Sequence, residues 1–373
     1  MRIVQLANLV TPTSGGIRTV LGALGRGYSA AGHDRVEVVP GPGHDEVALP
    51  DGGVRRVLPG VPLPGGAGYR LLLDRPAVRA ALAALHPDAI EVHDRFTLLW
   101  VLRWARGRDL PATLVVHERL VGTLDAWLPC GPFGRTVAAP LARAADAALL
   151  AGLDHLVVPS RYAAAAFGDD PRVQVVPLGV DADVFGPAAV ATSGPPLRLV
   201  SVGRLSREKR PGLAIATVGV LHRRGVPVHL DVVGDGPLRA ALTRAATGLP
   251  VTFHGHLDRA GVAAATAAAD AALATCPIET FGLAALEALA TGTPVVVPDR
   301  GALPELLTGA DPAAGAIVRP TPSAFADAVL GSIAHTRAHR RDAAVAVARA
   351  RPWTHAVDAL LTRHAGRHLA VAP

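Results

Sequence analysis

"FGPAAVATSGPPLRLVSVGRLSREKR", residues 185–210, divides the chain in two. Phe185–Leu199 is rich in Gly, Pro, Ser and Ala and reads as a linker. The apolar run Leu197–Val202, overlapping its end, reads as a β-strand, and Gly203 opens a polar loop beyond it. On both sides of this break, short β-rich runs alternate with Ala/Leu-rich helical stretches. Upstream strand candidates are Ile3–Leu6, Val36–Val39, Ala89–Val92, Ala112–Val116, His155–Val158 and Val173–Val176. The helical segments between them include Arg18–Ala30, Pro76–Leu85, Thr97–Arg106 and Pro140–Ala151. Downstream the strands resume at Val228–Val233, Val251–His254, Ala271–Ala274 and Pro294–Pro298. Such alternation predicts parallel sheets covered by helices on both faces. The expected fold is α/β, with two Rossmann-like doubly wound domains, 1–190 and 191–350, facing a central cleft. "PWTHAVDALLTRHAG", within the tail 351–373, predicts an amphipathic helix crossing back to the first domain.

Composition narrows the classes. Half of the 373 residues are apolar and 18% are charged, enough for two large cores and too few charges for a disordered chain. The formal charge of +6 suits an anionic partner or an arginine-rich proteome. With 4% aromatics and no arginine run interleaved with them, nucleic acid is not the expected partner. Cys130 and Cys276 make neither a metal-ligand spacing nor a disulfide framework. "MRIVQLANLV" lacks a signal-peptide pattern, and no run of about 18 apolar residues occurs. A cytoplasmic location, with possible peripheral contact on an anionic membrane, is the expectation. Two segments mix cationic and apolar residues as interfacial elements and ordinary core helices both do: Arg55–Leu73 and Gly134–Leu150.

Ligands of open α/β sheets sit at the carboxyl ends of strands, and four motifs fall there. In "SGGIRT", residues 14–19, Gly15 and Gly16 precede a helix whose N–H groups could face an anion, or they simply turn the chain. The motif lacks G-x-G-x-x-G, which argues against a dinucleotide fold. In "VGRLSREKR", residues 202–210, Gly203 is followed by Arg204 and by Lys209, the single lysine among 37 Lys and Arg. A guanidinium fork and a mobile ammonium could grip a diphosphate; a solvated basic loop is the other reading. "PIETFGLAALEALATGTPVV" spaces Glu279 and Glu287 eight residues apart around a helix start at Phe281, Gly282 and Leu283. Surface glutamates are the alternative. Finally, "EVHDRF" and "LVVHERL" place His93, Asp94 and Arg95, and His117, Glu118 and Arg119, at the ends of two strand candidates. Asp181-Ala182-Asp183 imitates a D-x-D metal site but reads as a turn with capping carboxylates.

The "VGRLSREKR" loop and the E-x7-E motif resemble the retaining nucleotide-sugar glycosyltransferases of GT-B type in family 4. "PLGVDADVFGP" is similar to that family's interdomain junction, with Leu178 in place of the common Asn. The resemblance runs from residue 1 to the helix at Trp353. Within the family, "SGGIRT", "EVHDRFTL" and "HERL" look most like actinobacterial phosphatidylinositol dimannoside mannosyltransferases.

The resemblance implies roles. Arg204 and Lys209 would clamp the donor diphosphate, Glu287 would hold ribose hydroxyls, and Glu279 would contact the sugar with the backbone of Phe281–Leu283. Gly15 and Gly16 would face the diphosphate from the other domain, and His117 would touch the sugar near its reacting carbon. The base would lie near Gly234, Gly236, Val251 and His254, and the acceptor near Arg18, His93, Asp94, Arg95, Glu118 and Arg119. The implied reaction is metal-independent, cofactor-free transfer of a hexose, mannose from GDP-mannose first, to a phosphatidylinositol mannoside. Front-face attack is expected, because no carboxylate nucleophile is evident. Another glycolipid or a soluble natural product is the alternative acceptor. A nucleotide-sugar 2-epimerase or a non-enzymatic phosphosugar-binding protein are the alternative classes.

Overall fold

A computed structural model describes residues 1–11, 14–50, 52–63, 68–119, 132–153, 155–187 and 194–366, the side chains of 132–139 excepted. The apolar runs form two main sheets. The first contains β1 (Arg2–Leu6), β2 (Asp34–Gly41), β3 (Asp45–Ala48) and β4 (Val54–Pro59). A small separate hairpin, β5 (Val61–Pro62) with β6 (Arg70–Leu71), lies beside it. The first sheet is completed by β7 (Ala89–Val92), β8 (Ala112–Val115), β9 (Leu156–Val158) and β10 (Val173–Val175). Its order is β10-β9-β8-β7-β1-β2-β4-β3, parallel throughout except for β3 against β4. Val4, opposite Val36 on one side and Ile90 on the other, is fully buried. A central parallel strand covered on both faces favours such apolar residues on either side of the sheet.

The second sheet holds β11 (Leu197–Val202), β12 (Val228–Val233), β13 (Val251–Gly255), β14 (Ala271–Leu273), β15 (Val295–Pro298) and β16 (Gly315–Val318). All pairs are parallel, in the order β13-β12-β11-β14-β15-β16. In each sheet the chain winds out one way from the first strand (β1, β11) and then reverses to its other side, at β7 and β14. That reversal opens a crevice at the carboxyl ends. The four sequence motifs leave β1, β7, β8, β11 and β14, so topology alone gathers them.

One buried cluster belongs to each sheet, and a third spans both domains. The spanning cluster takes in Ala356, Val357 and Leu360 of the helix Trp353–His364, together with Val20, Leu24 and Tyr28 of the helix Gly16–Ala30. Their spacing is an apolar stripe on a helical period. Truncating a buried side chain such as Leu360 to Ala costs about 2–5 kcal/mol. The last helix therefore crosses back and belongs to the first domain. Where it crosses, the Val180 N–H donates to Arg351 O at 3.1 Å and Val180 bridges Pro352, so the outgoing and returning segments run side by side.

Several elements depart from the expected ones. The hairpin β3–β4 was not anticipated, since all four β3 residues are exposed and leave no apolar signature. β5, β6 and β16 were likewise unforeseen. The first helix starts at Gly16, two residues early, with Gly15 at its N-cap. The helix expected from Thr97 starts at Trp100, because Asp94 Oδ1 first accepts the N–H groups of Phe96, Thr97 and Leu98. The helix expected from Pro140 already runs from Pro132 to Ala151. Of the linker, 188–193 lies outside the described residues, as does Cys130, and Leu197–Leu199 is already β11. Among the described residues, no helix is long and apolar enough to cross a membrane.

Candidate active site

The loop after β11 is held from below. Thr275 Oγ1 donates to Lys209 O at 2.7 Å, and Cys276 Sγ donates to Glu208 O at 3.2 Å. Lys209 Nζ donates to Glu279 Oε2 at 2.6 Å, an ion pair between positions 70 apart in the sequence. Burial opposes the ammonium, but Glu279 outweighs it and holds the lysine above its ordinary pKa. Burial also pushes the Cys276 thiol up to about 12, leaving it an unreactive packing residue. Arg204 is exposed, its guanidinium 5.5 Å from the ring centre of Tyr69 in the first domain.

The glycines expected near the base also shape this loop. A Cβ on Gly234, whose φ is +122°, would lie 2.1 Å from Gly203 O, and one on Gly236 would lie 2.6 Å from Leu205 O. Only bare backbone lets the two turns stack, with the Gly203 N–H donating to Val233 O and the Leu205 N–H to Asp235 O. Val251 opens β13, at the end remote from Gly255, and packs on the second sheet's core. The structure does not bring Val251 to the cleft. His254 Nε2 donates to Asp231 Oδ1 at 2.7 Å, which commits its ring to a polar cluster with Arg198 and His229.

Beyond Glu279 and Thr280, Phe281 is buried and Gly282, at φ +100°, caps the helix Leu283–Ala290. Among the described residues no side chain caps that N-terminus, which leaves its N–H groups available to an anion. The helix carries Glu287, half-buried, with its carboxyl pushed up to about 7. Burial is the main cause, countered by Arg259 and reinforced by Asp181. Asp181 pairs at 3.1 Å with both Arg26 of the first domain and Arg259 of the second. The D-x-D motif is thus half an interdomain ion-pair hub, while Asp183 is exposed.

Across the cleft, Gly15, Gly16 and Arg18 lie exposed at the start of the first helix. His117 ends β8's extension, and its carbonyl accepts from Thr280 Oγ1, a direct bond between the two domains. Its ring lies 8° from coplanar with His93, with His117 Nε2 2.8 Å from His93 Nδ1. Burial first, then His93, push the His117 pKa down to about 3, so the ring is neutral. The Glu118 carboxyl is pushed up to about 7 by burial, with Arg95 opposing and Asp94 adding to the shift. Arg119 lies 4.3 Å over the Tyr162 ring, and the N–H groups of Arg161 and Tyr162 donate to Glu305 of the second domain at 3.0 and 2.7 Å.

Three expected acceptor residues have other work. Asp94 caps its turn, Arg95 is buried in a pair with Asp146 and lies over Phe167, and His93 is wedged between Glu91 and His117. Sequence reasoning missed Thr280, Tyr69, Glu91 and His364. Only Glu91 carried a signal, an ionisable residue inside the fully buried run Ala89–Val92.

The site thus combines a cationic loop, two carboxylates and an open helix start in one domain with a neutral histidine in the other. Comparison with known proteins agrees. A model described as Glycosyltransferase Family 4 matches residues 14–184, and one described as Glycosyl transferases group 1 matches 196–335. A Mycobacterium tuberculosis protein, named GDP-mannose-dependent alpha-(1-6)-phosphatidylinositol dimannoside mannosyltransferase, is 40% identical over 374 residues. The alignment covers 97% of this chain and 95% of that one. The chain belongs to glycosyltransferase family 4. This family 4 glycosyltransferase is also 31% identical over 353 residues to the D-inositol 3-phosphate glycosyltransferase of Mycobacterium avium, covering 85% and 82% of the two chains. Among solved structures, sucrose-phosphate synthase from Thermosynechococcus elongatus superposes with a TM-score of 0.79 at 18% identity over 98% of both chains. The fold is GT-B.

Proposed function

We propose that this glycosyltransferase moves mannose from GDP-mannose to a hydroxyl of a phosphatidylinositol mannoside, with retention and without a metal. The observation that carries the reading is the 40% identity, over 97% of the chain, to a protein named for that donor and that class of acceptor. The geometry supports the chemistry. Lys209 and Arg204 offset the charge that develops on the diphosphate as the bond from the sugar's C1 to the leaving oxygen breaks. Lys209 arrives already oriented by Glu279, and Glu279 is in turn positioned to accept from sugar hydroxyls. The open starts of the helices at Gly16 and Leu283 supply N–H groups to the donor from the two sides of the cleft. Glu287, with its carboxyl near pKa 7, can both donate to and accept from ribose hydroxyls. Neutral His117 offers a hydrogen bond to the sugar.

The acceptor oxygen attacks the face that the diphosphate leaves, and its proton passes to a departing phosphate oxygen. Binding both partners in one cleft supplies the rest of the rate enhancement as positioning. Asp181, tied to two arginines, is not offered to a cation. For peripheral membrane contact, Val61, Leu73 and Phe96 are exposed on the first domain, with Arg75 and Arg79 exposed in the same domain. The test is mass spectrometry of products from a panel of nucleotide sugars, with lipid extract or free inositol phosphate as acceptor, with and without EDTA. A mannosylated inositol lipid formed only from GDP-mannose, and unaffected by EDTA, is expected. Transfer to the soluble acceptor alone, or activity restored by magnesium after chelation, would overturn the corresponding part.

A further inference from the structure

Glu91 lies in the middle of β7 with no exposed side-chain surface, yet it is an anion, held well below the usual carboxylate pKa. Burial alone would raise that pKa; bonds from His364 and His93 more than reverse it. Four donors surround the carboxylate. Tyr28 OH and His364 Nε2 reach Oε1, the latter at 2.8 Å. Gln5 Nε2 and His93 Nε2 reach Oε2 at 2.7 and 3.2 Å. One of these donors continues onward: His93 Nδ1 meets His117 Nε2 at 2.8 Å.

The direction of each bond follows from the anion outward. A carboxylate has no proton to give, so His93 Nε2 must carry one. With a single proton on His93, placed on Nε2 by the anion, its Nδ1 accepts from His117 Nε2–H and leaves His117 Nδ1 as the lone-pair nitrogen. Which nitrogen of an imidazole carries the proton is set by what the other nitrogen bonds. We propose that Glu91 is a positioning residue which, through His93, fixes the tautomer and ring orientation of His117 at the sugar-transfer site. This rests on the reading of His117 as a sugar contact.

The arrangement has a second consequence. Thr280 holds the His117 carbonyl from the donor-binding domain, while the relay holds its ring from the first domain. His117 is therefore gripped at both ends, and its acceptor nitrogen is delivered in one geometry rather than several. His364 adds the returning helix to the same carboxylate, so the anion that orients His117 is completed by the far end of the chain.

The test pairs Glu91→Gln with His93→Gln. The first removes the anion that dictates the relay. The second keeps an amide donor for Glu91 but cannot reach His117, so it severs the link while sparing the carboxylate. Steady-state kinetics with GDP-mannose should show kcat lower by about 10–100-fold, by analogy with losing the outer partner of a metal-bound histidine, with donor KM little changed. Nitrogen NMR of 15N-histidine-labelled protein, with the His117 signal assigned by its absence in His117→Gln, should show the proton on Nε2 in the parent. In both variants it should show population of the Nδ1–H form. If Glu91→Gln does not fold, His93→Gln decides alone. A His117 tautomer unchanged in folded variants, with kcat within twofold of the parent, would overturn the proposal. Should the parent transfer no sugar under any donor and acceptor pair, the functional reading fails, while the tautomer measurement still tests the relay.

Discussion

Glu287→Gln should make this enzyme more stable and less active, and the gain should grow with pH. In the fold the Glu287 carboxyl titrates near 7 against an ordinary 4.5, because burial and Asp181 outweigh Arg259. A carboxyl with a raised folded pKa binds its proton more tightly when folded, so stability is lost as pH rises from about 4.5 to 7. At 1.36 kcal/mol per unit, the full shift corresponds to about 3 kcal/mol above pH 7, and to under about 1 kcal/mol at pH 5. Glutamine of the same shape carries no such penalty. Thermal unfolding of the two proteins at pH 5 and pH 8 should therefore show a small gain at pH 5 and one larger by about 2 kcal/mol at pH 8, several degrees in Tm. At the same time the donor KM should rise if Glu287 holds the ribose as proposed, since an amide replaces the carboxyl there. A gain equal at the two pH values, or a loss at pH 8, would refute the assignment of a buried, charge-opposed carboxyl. The trade is the one expected of a functional group held in an unfavourable environment.

Lys209→Ala should fold normally, because its pair with Glu279 is partly exposed and the carboxylate left behind stays within reach of water, yet lose roughly 10²–10³ in kcat. Near-parental turnover at saturating donor would reject the diphosphate clamp. Asp181→Asn dissolves the hub between Arg26 and Arg259 and should cost about 1 kcal/mol in Tm measurements at low salt, less at 1 M salt. A salt-independent loss would point to packing instead. His364→Leu removes one of four donors from buried Glu91 and should cost about 1–3 kcal/mol, with faster amide exchange across Trp353–His364. Unchanged exchange there would deny that this bond secures the helix.

The fold was legible because parallel strands buried on both faces leave runs dominated by apolar residues. Val4, Ile90, Val232 and Val296 all sit in such runs, and the strand ends then located the site loops. The partly solvated hairpin β3–β4 left no comparable trace, since exposed strands need no apolar side chains. In the site, Lys209, Glu279 and Glu287 stood out by residue type and spacing. Their pairing did not, because it depends on a contact 70 positions long. Gly234 and Gly236 were flagged as glycines, but whether bare backbone faces a ligand or a neighbouring turn is decided only by tertiary approach. Asp94 and Arg95 misled for a related reason. Polar residues at a strand's carboxyl end can equally cap the following turn or pair beneath it.

The return of the last helix sets an order of events during synthesis. The first domain is not finished when its own sheet has left the ribosome. Glu91 waits for His364, 273 positions later, to supply its fourth donor. At roughly 5–20 residues per second, that interval is about 15–55 s. Throughout it, the apolar stripe of the helix Gly16–Ala30 lacks its cover and the second domain is being built. The enzyme is thus assembled as an insertion, its second domain folding inside a first domain that closes last, and a nascent chain stalled before residue 353 leaves that first core open.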